Sequence, residues 1–536
     1  MQEYYAPIIL FLGLVLFVFL YDYIGRKNRE KNLMLDIKND FGKVHSNKFK
    51  GKIDGIYKKL GGNLTEITYE DLNFDKVIEK MNHSVSRLGL EYFYYKIRNI
   101  NLDSDELLKD IRNRNSYKDK ESLLQKIQFI FQGVGYFKDD VLGLLDDDTD
   151  VDGELVAAAK IFSFTAIYII ISIFIFQKLA FFVAVVLLAG NTYIYKEFNK
   201  KTMGKLNALL KLRNMIFAAE KLTRYKDEVF FEELDEIERL LREIAPLKKS
   251  LKSFGFLSGN PEFDWAETYK NILFLTEARQ FTSSQKYFKS HGDKVFRLYY
   301  LMGKIDAEIG MISVIKAYDA KDATFGDRIY GKKLYNPLLK SAVPNDLDLS
   351  KSILLTGSNA SGKSTYLRTC GINAVFALTF GIFFGESFEI EPIIISSAID
   401  ISDSLSENLS YFMAESKAIV EMINQDKKQL ILLDEIFRGT NTIDRISAAS
   451  STLRYLESGN YVIAATHDIE LTILLEDIFA NKHFEEKIED GDIKFDYLLK
   501  DGAAKTRNAI AILENLNYPK KVTEEARKLS KDMEEE

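Results

Sequence analysis

Cysteine is almost missing from this chain: Cys370 is the only one among 536 residues. A single thiol excludes an intrachain disulfide and any zinc site built from cysteines. A surplus of positive charge is missing too, since the net charge is -7. That argues against a protein coated for generic nucleic-acid binding. A local basic patch stays open, because affinity follows local phosphate contacts rather than total charge. Low-complexity tracts are absent, and the Lys/Glu-rich stretch from Glu524 to Glu536 reads as a solvated helix. The start also lacks the marks of a cleaved leader. Glu3 stands where lysines would be, and no small-x-small cleavage site follows. At this length the chain has room for several domains.

What the start does hold is an uncharged, almost wholly apolar run from Ala6 to Leu20, flanked by Tyr4, Tyr5, Tyr21 and Tyr23. With those flanks it reaches about 18–20 residues, enough for roughly 30 Å of hydrocarbon. Arg26, Lys27, Arg29 and Lys31 follow at once, and the basic excess continues to Lys59. The positive-inside rule then puts the N-terminus outside and the following chain in the cytoplasm. Beside a crossing, such a stretch suits anionic lipid better than DNA. A second apolar block runs from Ile161 to Tyr195, interrupted only around Gln177 and Lys178. It is too long for one straight crossing and is predicted to form a helical hairpin of two spans. Lys196, Lys200 and Lys201 then return the chain to the positive side. Ser163, Thr165, Ser172 and Thr192 can each bond their own helix backbone, and Asn191 lies near the end of the block, where headgroups or water could satisfy it. A buried hairpin inside a soluble domain is the competing reading.

Chemistry concentrates further on. Gly357 to Ser364 reads GSNASGKS and follows the apolar run Ile353–Leu355. This fits G-x-x-x-x-G-K-[ST], a loop whose backbone N–H groups wrap the phosphates of a nucleotide. Its four fixed positions should coincide by accident in roughly 2% of chains this long. Glycines let the backbone approach closely, and the next helix aims its N-terminus at the anion. Lys363 can reach the β- and γ-phosphates, and Ser364 can ligate Mg²⁺. Gln429 to Leu433 runs into Asp434 and Glu435, which reads as a buried parallel strand with carboxylates at its C-terminal edge. Open α/β sheets hold ligands at that edge. Asp434 can hold the Mg²⁺ water shell and Glu435 can polarise an attacking water. A third strand, Tyr461 to Ala465, ends in Thr466, His467 and Asp468, which puts His467 where a γ-phosphate could be sensed.

Together these residues resemble the MutS family of mismatch-repair ATPases. The run Leu354 to Arg368 is similar to its phosphate loop, adding Ser358, Asn359, Ala360, Ser361, Gly362 and Thr365 to the expected ATP contacts. Leu433 to Thr442 with Asp444 resembles the LDEIxRGTxTxDG block, and Ala465 to Asp468 the (S/A)THxx block. Asp403 to Met413 resembles a segment in which Ser410 would cap the nucleotide of a partner subunit. Pro344, Asn345 and Asp346 match the entry to the ATPase domain, and Asn336 and Pro337 its HP pair with the histidine replaced. Gly502 to Ile510, then Tyr518 and Pro519, resemble the closing helical segment. Tyr69 to Ile78, Ser86 to Leu90 and Ile111 to Arg114 resemble, more weakly, the start of the helical core.

Two departures stand out. Glu407 and Asn408 replace a small residue and a glycine in the trans-acting segment, and Ala342 stands where an aromatic often stacks on adenine. No stretch before residue 69 is long enough for the domain that wedges a Phe-x-Glu into mispaired DNA. Phe230 to Glu232 carries that string, but on a helical stripe.

The expected fold is an α/β P-loop ATPase domain of ABC type, C-terminal to a helical core and lever region, with about three transmembrane helices. The expected layout is an anchor over 1–25, a basic segment with the first core helices over 26–156, the hairpin over 157–196, lever helices over 197–330, the ATPase over 331–515 and a tail over 516–536. The resemblance implies a homodimer that hydrolyses ATP with Mg²⁺ between subunits, catalysed by Glu435, His467 and Ser410. The resemblance tilts its purpose to binding of mismatched or branched DNA at the membrane, with an ATP-driven membrane machine without a DNA role as the alternative and transport as a poor third. Few polar residues would line a transport path.

Overall fold

The computed structural model describes residues 20–21, 23–25, 27–46, 52–135, 141–146, 153–252, 264–358, 361–400, 411–438, 441–489, 492–504 and 518–535. Up to Tyr318 the elements among the described residues are all helices, and an α/β part follows. Helix α1 (Glu66–Asp71) starts at Thr65, whose side chain accepts from the Thr68 N–H, and α2 (Arg87–Ile97) starts at Ser86, which accepts from the Gly89 N–H. Each cap satisfies a donor the helix itself cannot pair.

The apolar block bends back on itself. Helix α3 (Gly153–Phe162) leads into α4 (Thr165–Phe176). The chain turns at Gln177, with φ of 35°, and α5 (Ala180–Leu222) returns for 43 residues. The Thr165 hydroxyl bonds Asn191, and Phe162 lies against Gly190, so the two arms run antiparallel. Among the described residues one helical stretch, Thr165–Thr202, is long and apolar enough to cross a membrane, with a mean hydropathy of 2.5 in its best window. The three crossings expected above are therefore not displayed, and residues 6–19 fall outside the described part.

After α6 (Asp264–Phe274) comes α7 (Thr276–Tyr318), another helix of 43 residues. At 1.5 Å per residue it is about 64 Å long. It packs on α2 almost backbone to backbone. A Cβ on Gly303 would come within 2.6 Å of the Leu88 carbonyl oxygen, so no other residue fits that crossing.

The α/β part is built on a six-stranded sheet. Its strands are β1 (Ser352–Thr356), β2 (Ile394–Ala398), β3 (Gln429–Asp434), β4 (Tyr461–Ala465), β5 (Phe479–His483) and β6 (Lys500–Asp501), in the order β6-β5-β1-β4-β3-β2. All pairs are parallel except β5 with β6. Every residue of β1, β2 and β3 is buried, the pattern of strands covered on both faces. Helices α8 (Lys363–Phe380), α9 (Tyr411–Ile423) and α10 (Thr442–Glu457) belong to this part, and a smaller four-stranded sheet accompanies it. Parallel pairing aligns Leu355 with Ala465 and Ala465 with Asp434. The turns after β1, β3 and β4 therefore open on one edge.

Helical and sheet parts are latched at Asp71. Its carboxylate accepts from the Ser397 hydroxyl at 2.6 Å, the Ile399 N–H at 2.8 Å and the Asp400 N–H at 2.9 Å. Arg368 on α8 donates to the Asp71 carbonyl at 2.7 Å. One carboxylate thus joins α1 to the end of β2.

Candidate functional site

Behind β1 the chain needs two left-handed glycines to wrap a small concavity. Gly357 has φ of 137° and Gly362 has φ of 111°. A Cβ on Gly357 would meet the Phe484 carbonyl oxygen at 2.7 Å. Ser361 closes the turn by donating its hydroxyl to the Ser358 carbonyl at 2.7 Å. Lys363, on the first turn of α8, is 3% exposed and folds back over the loop. Its Nζ donates to the carbonyls of Gly357 at 2.6 Å and Ser358 at 3.0 Å. Thr365 is exposed at the mouth of an adjoining cavity. Asn359 and Ala360 lie outside the described residues.

Glu435 follows β3 directly and takes φ of 54°, a conformation L-residues adopt at a cost. Its N–H donates to the Ala465 carbonyl at 2.9 Å, which holds it there. One carboxylate oxygen lies 2.6 Å from His467 Nε2 and the other 2.7 Å from Arg438 Nε. Lys363 Nζ is 3.4 Å from the same histidine nitrogen. Lys363, His467 and Glu435 thus form one polar chain across β1, β4 and β3. Burial alone would raise the Glu435 carboxyl. The hydrogen bond from His467 and the charges of His467, Arg438 and Lys363 outweigh it and hold the carboxyl below the usual carboxylate value.

Asp434, one residue earlier, is 6% exposed and receives the Ser364 hydroxyl. Burial raises its carboxyl above the ordinary value, and the nearby Glu435 charge adds to that rise. Its Oδ1 is buried without a hydrogen-bond partner. A hydroxyl, a carboxylate and an unsatisfied oxygen beside a phosphate-type loop fit a hard, oxygen-preferring cation such as Mg²⁺, which takes few protein ligands and completes its shell with water and phosphate oxygens. Of the residues expected at the site, Gly357, Ser358, Ser361, Gly362, Lys363, Ser364, Thr365, Asp434, Glu435 and His467 stand along this edge. Ser410, with Glu407 and Asn408, lies outside the described residues.

Beside the loop is a cavity of about 240 Å³ lined by Ala342, Val343, Asn345, Tyr366, Phe484 and Tyr497, among others. Ala342 offers it no aromatic surface, while Phe484 and Tyr497 bring such surface from elsewhere in the chain. A larger cavity, about 310 Å³, lies remote from this edge among Asp110, Tyr117, Lys226 and Glu308.

Three supports escaped the sequence reading. Arg445 holds Asp468 in a two-pronged ion pair at 2.9 and 2.6 Å, fixing the turn that carries His467. Glu415, 2% exposed on α9, accepts the Phe437 N–H at 2.6 Å where that residue is left-handed. Tyr497 and Phe484 reach the cavity from more than a hundred residues beyond the loop. Only the aspartate after His467 carried a hint, as an acid lacking a partner nearby in sequence.

Known proteins match this part of the chain. The MutS domain V family matches residues 353–534. The chain is 30% identical over 260 residues to the DNA mismatch repair protein MutS of Aquifex pyrophilus, covering 46% of this chain and 30% of that one. It is 28% identical over 266 residues to the MutS of Thermus caldophilus, covering 48% and 32%. It is 33% identical over 188 residues to the DNA mismatch repair protein MutS 2 of Haloarcula marismortui, covering 34% and 20%. The match spans less than a third of each of these relatives' own length. Over its C-terminal α/β part, the chain is similar to the MutS family.

Proposed function

We propose that this chain is an ATPase that binds and hydrolyses Mg·ATP between two copies of itself and uses the cycle to move its helices. The observation that carries the reading is the polar chain Lys363–His467–Glu435 beside the glycine loop. Lys363 and the loop N–H groups hold the phosphates, and in doing so Lys363 exchanges the carbonyls it now bonds for phosphate oxygens. Ser364 and Asp434 would hold Mg²⁺, which when bound neutralises charge on the phosphates. Glu435, kept ionised by its neighbours, orients and polarises the attacking water, while His467 senses the γ-phosphate. The cavity beside Tyr366 takes the base, with Tyr497 or Phe484 supplying the stacking surface that Ala342 lacks. Ser410 of one copy would close over the nucleotide of the other, as the resemblance implies.

The relatives are named for DNA mismatch repair, and DNA binding, to mispaired or branched forms, is the use we propose for the stroke. Its proposed place is the membrane. Lys178 at the hairpin tip lies 18 residues from both Lys160 and Lys196. Helical rise makes each interval about 27 Å, close to the thickness of a bilayer's hydrocarbon core. Between those lysines many large apolar side chains face outward, Phe174 and Phe181 among them. This exposed hairpin also favours a second reading, an ATP-driven dimerisation machine of the membrane without a DNA role.

ATP turnover by the purified protein, measured with and without duplex, mismatched and branched DNA over a salt series, separates the two. Salt-dependent stimulation by one DNA form supports the first. Turnover indifferent to every DNA but altered by lipid supports the second. No turnover at all refutes both.

A further inference from the structure

Asn191 is an anomaly in an apolar arm: a carboxamide with no exposed surface. The sequence places it where headgroups or water could satisfy it; the fold instead buries it against protein partners. Its Oδ1 accepts the Thr165 hydroxyl at 3.0 Å, from the opposite arm. Its Nδ2 donates to the carbonyls of Ile272 at 2.7 Å and Leu273 at 3.2 Å. Those carbonyls belong to the last turn of α6, where a helix runs out of its own donors. Leu275 then turns left-handed, and α7 begins at Thr276, whose hydroxyl bonds Asn271. One side chain therefore ties both arms of the hairpin to the corner between α6 and α7. A buried amide that loses such partners is penalised, so this corner and the hairpin have reason to move together.

From that corner α7 runs unbroken to Tyr318. The Tyr318 carbonyl accepts the Tyr335 hydroxyl at 2.5 Å. The next strand, Lys321–Asp322, pairs with Ile382–Phe383, immediately behind α8. Phe93 on α2, which packs along α7, stacks on Phe380 of α8 with ring centroids 5.1 Å apart. Rigid elements thus connect Asn191 to the helix whose first residue is Lys363.

We propose that Asn191 is the joint through which a lipid bilayer surrounding the hairpin sets the rate of the ATPase. The inference rests on the membrane reading of the hairpin and on the ATPase reading of the site. It assigns them a specific coupling, carried by α7.

The test uses the full chain, in detergent and in vesicles of phosphatidylcholine with phosphatidylglycerol. Flotation reports membrane attachment and phosphate release reports turnover. Wild type should float, and its turnover should differ between vesicle and detergent by about fivefold, the lower end of ordinary coupling energies. Asn191→Leu should float equally and keep its detergent rate, yet lose the difference. Thr165→Val, which removes one of the three bonds, should lose part of it, and serves if the leucine variant does not fold. Wild type that fails to float would overturn the membrane reading and the coupling together. Wild type that floats but turns over alike in both media would overturn the coupling and spare the attachment. Variants that respond as strongly as wild type would overturn Asn191 as the joint.

Discussion

Two apolar runs of this chain are alike in composition and opposite in fate. Leu430 to Leu433 in β3 are 0% exposed, whereas Phe174 and Phe181 in the hairpin are 79% and 82% exposed. The strand is shielded because helices cover both faces of a parallel sheet. Among the described residues the hairpin packs on its other arm, on α3 and on the α6 corner, and its outer faces stay exposed. Apolar residues announce a need for cover; which partner provides it is decided by what else the chain can place alongside. In the sheet that partner is protein, and the need is met internally. At the hairpin it is left to the surroundings.

The largest effect that sharpens this contrast belongs to the edge the buried strands build. Glu435→Gln should lower turnover about 10²- to 10⁴-fold while nucleotide still binds, read by single-turnover hydrolysis against fluorescent nucleotide titration. Lys363→Ala, by contrast, should lose the binding itself. Next comes the core. Leu432→Ala should cost about 2–5 kcal/mol in denaturant unfolding. Phe181→Ala should stay within about 0.5 kcal/mol in the same assay and lower flotation with vesicles instead. Equal losses of stability from the two would break the comparison outright.

A smaller effect concerns pH. His467, Arg438 and Lys363 hold the Glu435 carboxyl below its ordinary value despite burial. If the ionised form polarises the water, as proposed, turnover should persist as pH falls, and its acid limb should lie below the usual carboxylate value. His467→Ala removes the hydrogen bond and should move that limb upward; an unmoved limb would detach the histidine from this role. The smallest effect is a silence. Burial pushes the Cys370 thiol up to about 12, so maleimide should leave the folded protein unlabelled at neutral pH. A cysteine placed at Phe181 would then carry any label alone.

Legibility followed the same divide between local and distant. The order of Gly357 to Ser364, Asp434, Glu435 and His467 was readable because each sits beside a strand whose apolar run announces it. Parallel pairing then brings the three turns to one edge by rule. The bend at Gln177 was readable from a break in hydropathy. Arg445 with Asp468, Glu415 with the Phe437 N–H, and Asp71 with Ser397 were not. Arg, Glu and Asp on helices look like ordinary solvated residues until the fold brings each to its distant partner. Asn191 was misread for that reason, since its partners stand 81 and 82 residues away. Ser410 and the first apolar run belong to segments outside the described residues.

The latch at Asp71 has a consequence for how the molecule is made. Its acceptor oxygens leave the ribosome 326 residues before the Ser397 hydroxyl they bind. At ordinary elongation speeds of about 5–20 residues per second, that is a wait of roughly 16–65 seconds. During it the early helices must persist with a carboxylate lacking its donors and an uncovered docking face. Newborn copies of this protein should therefore depend on chaperones mainly in the first minute of synthesis, and shortening the wait by circular permutation should relieve that dependence.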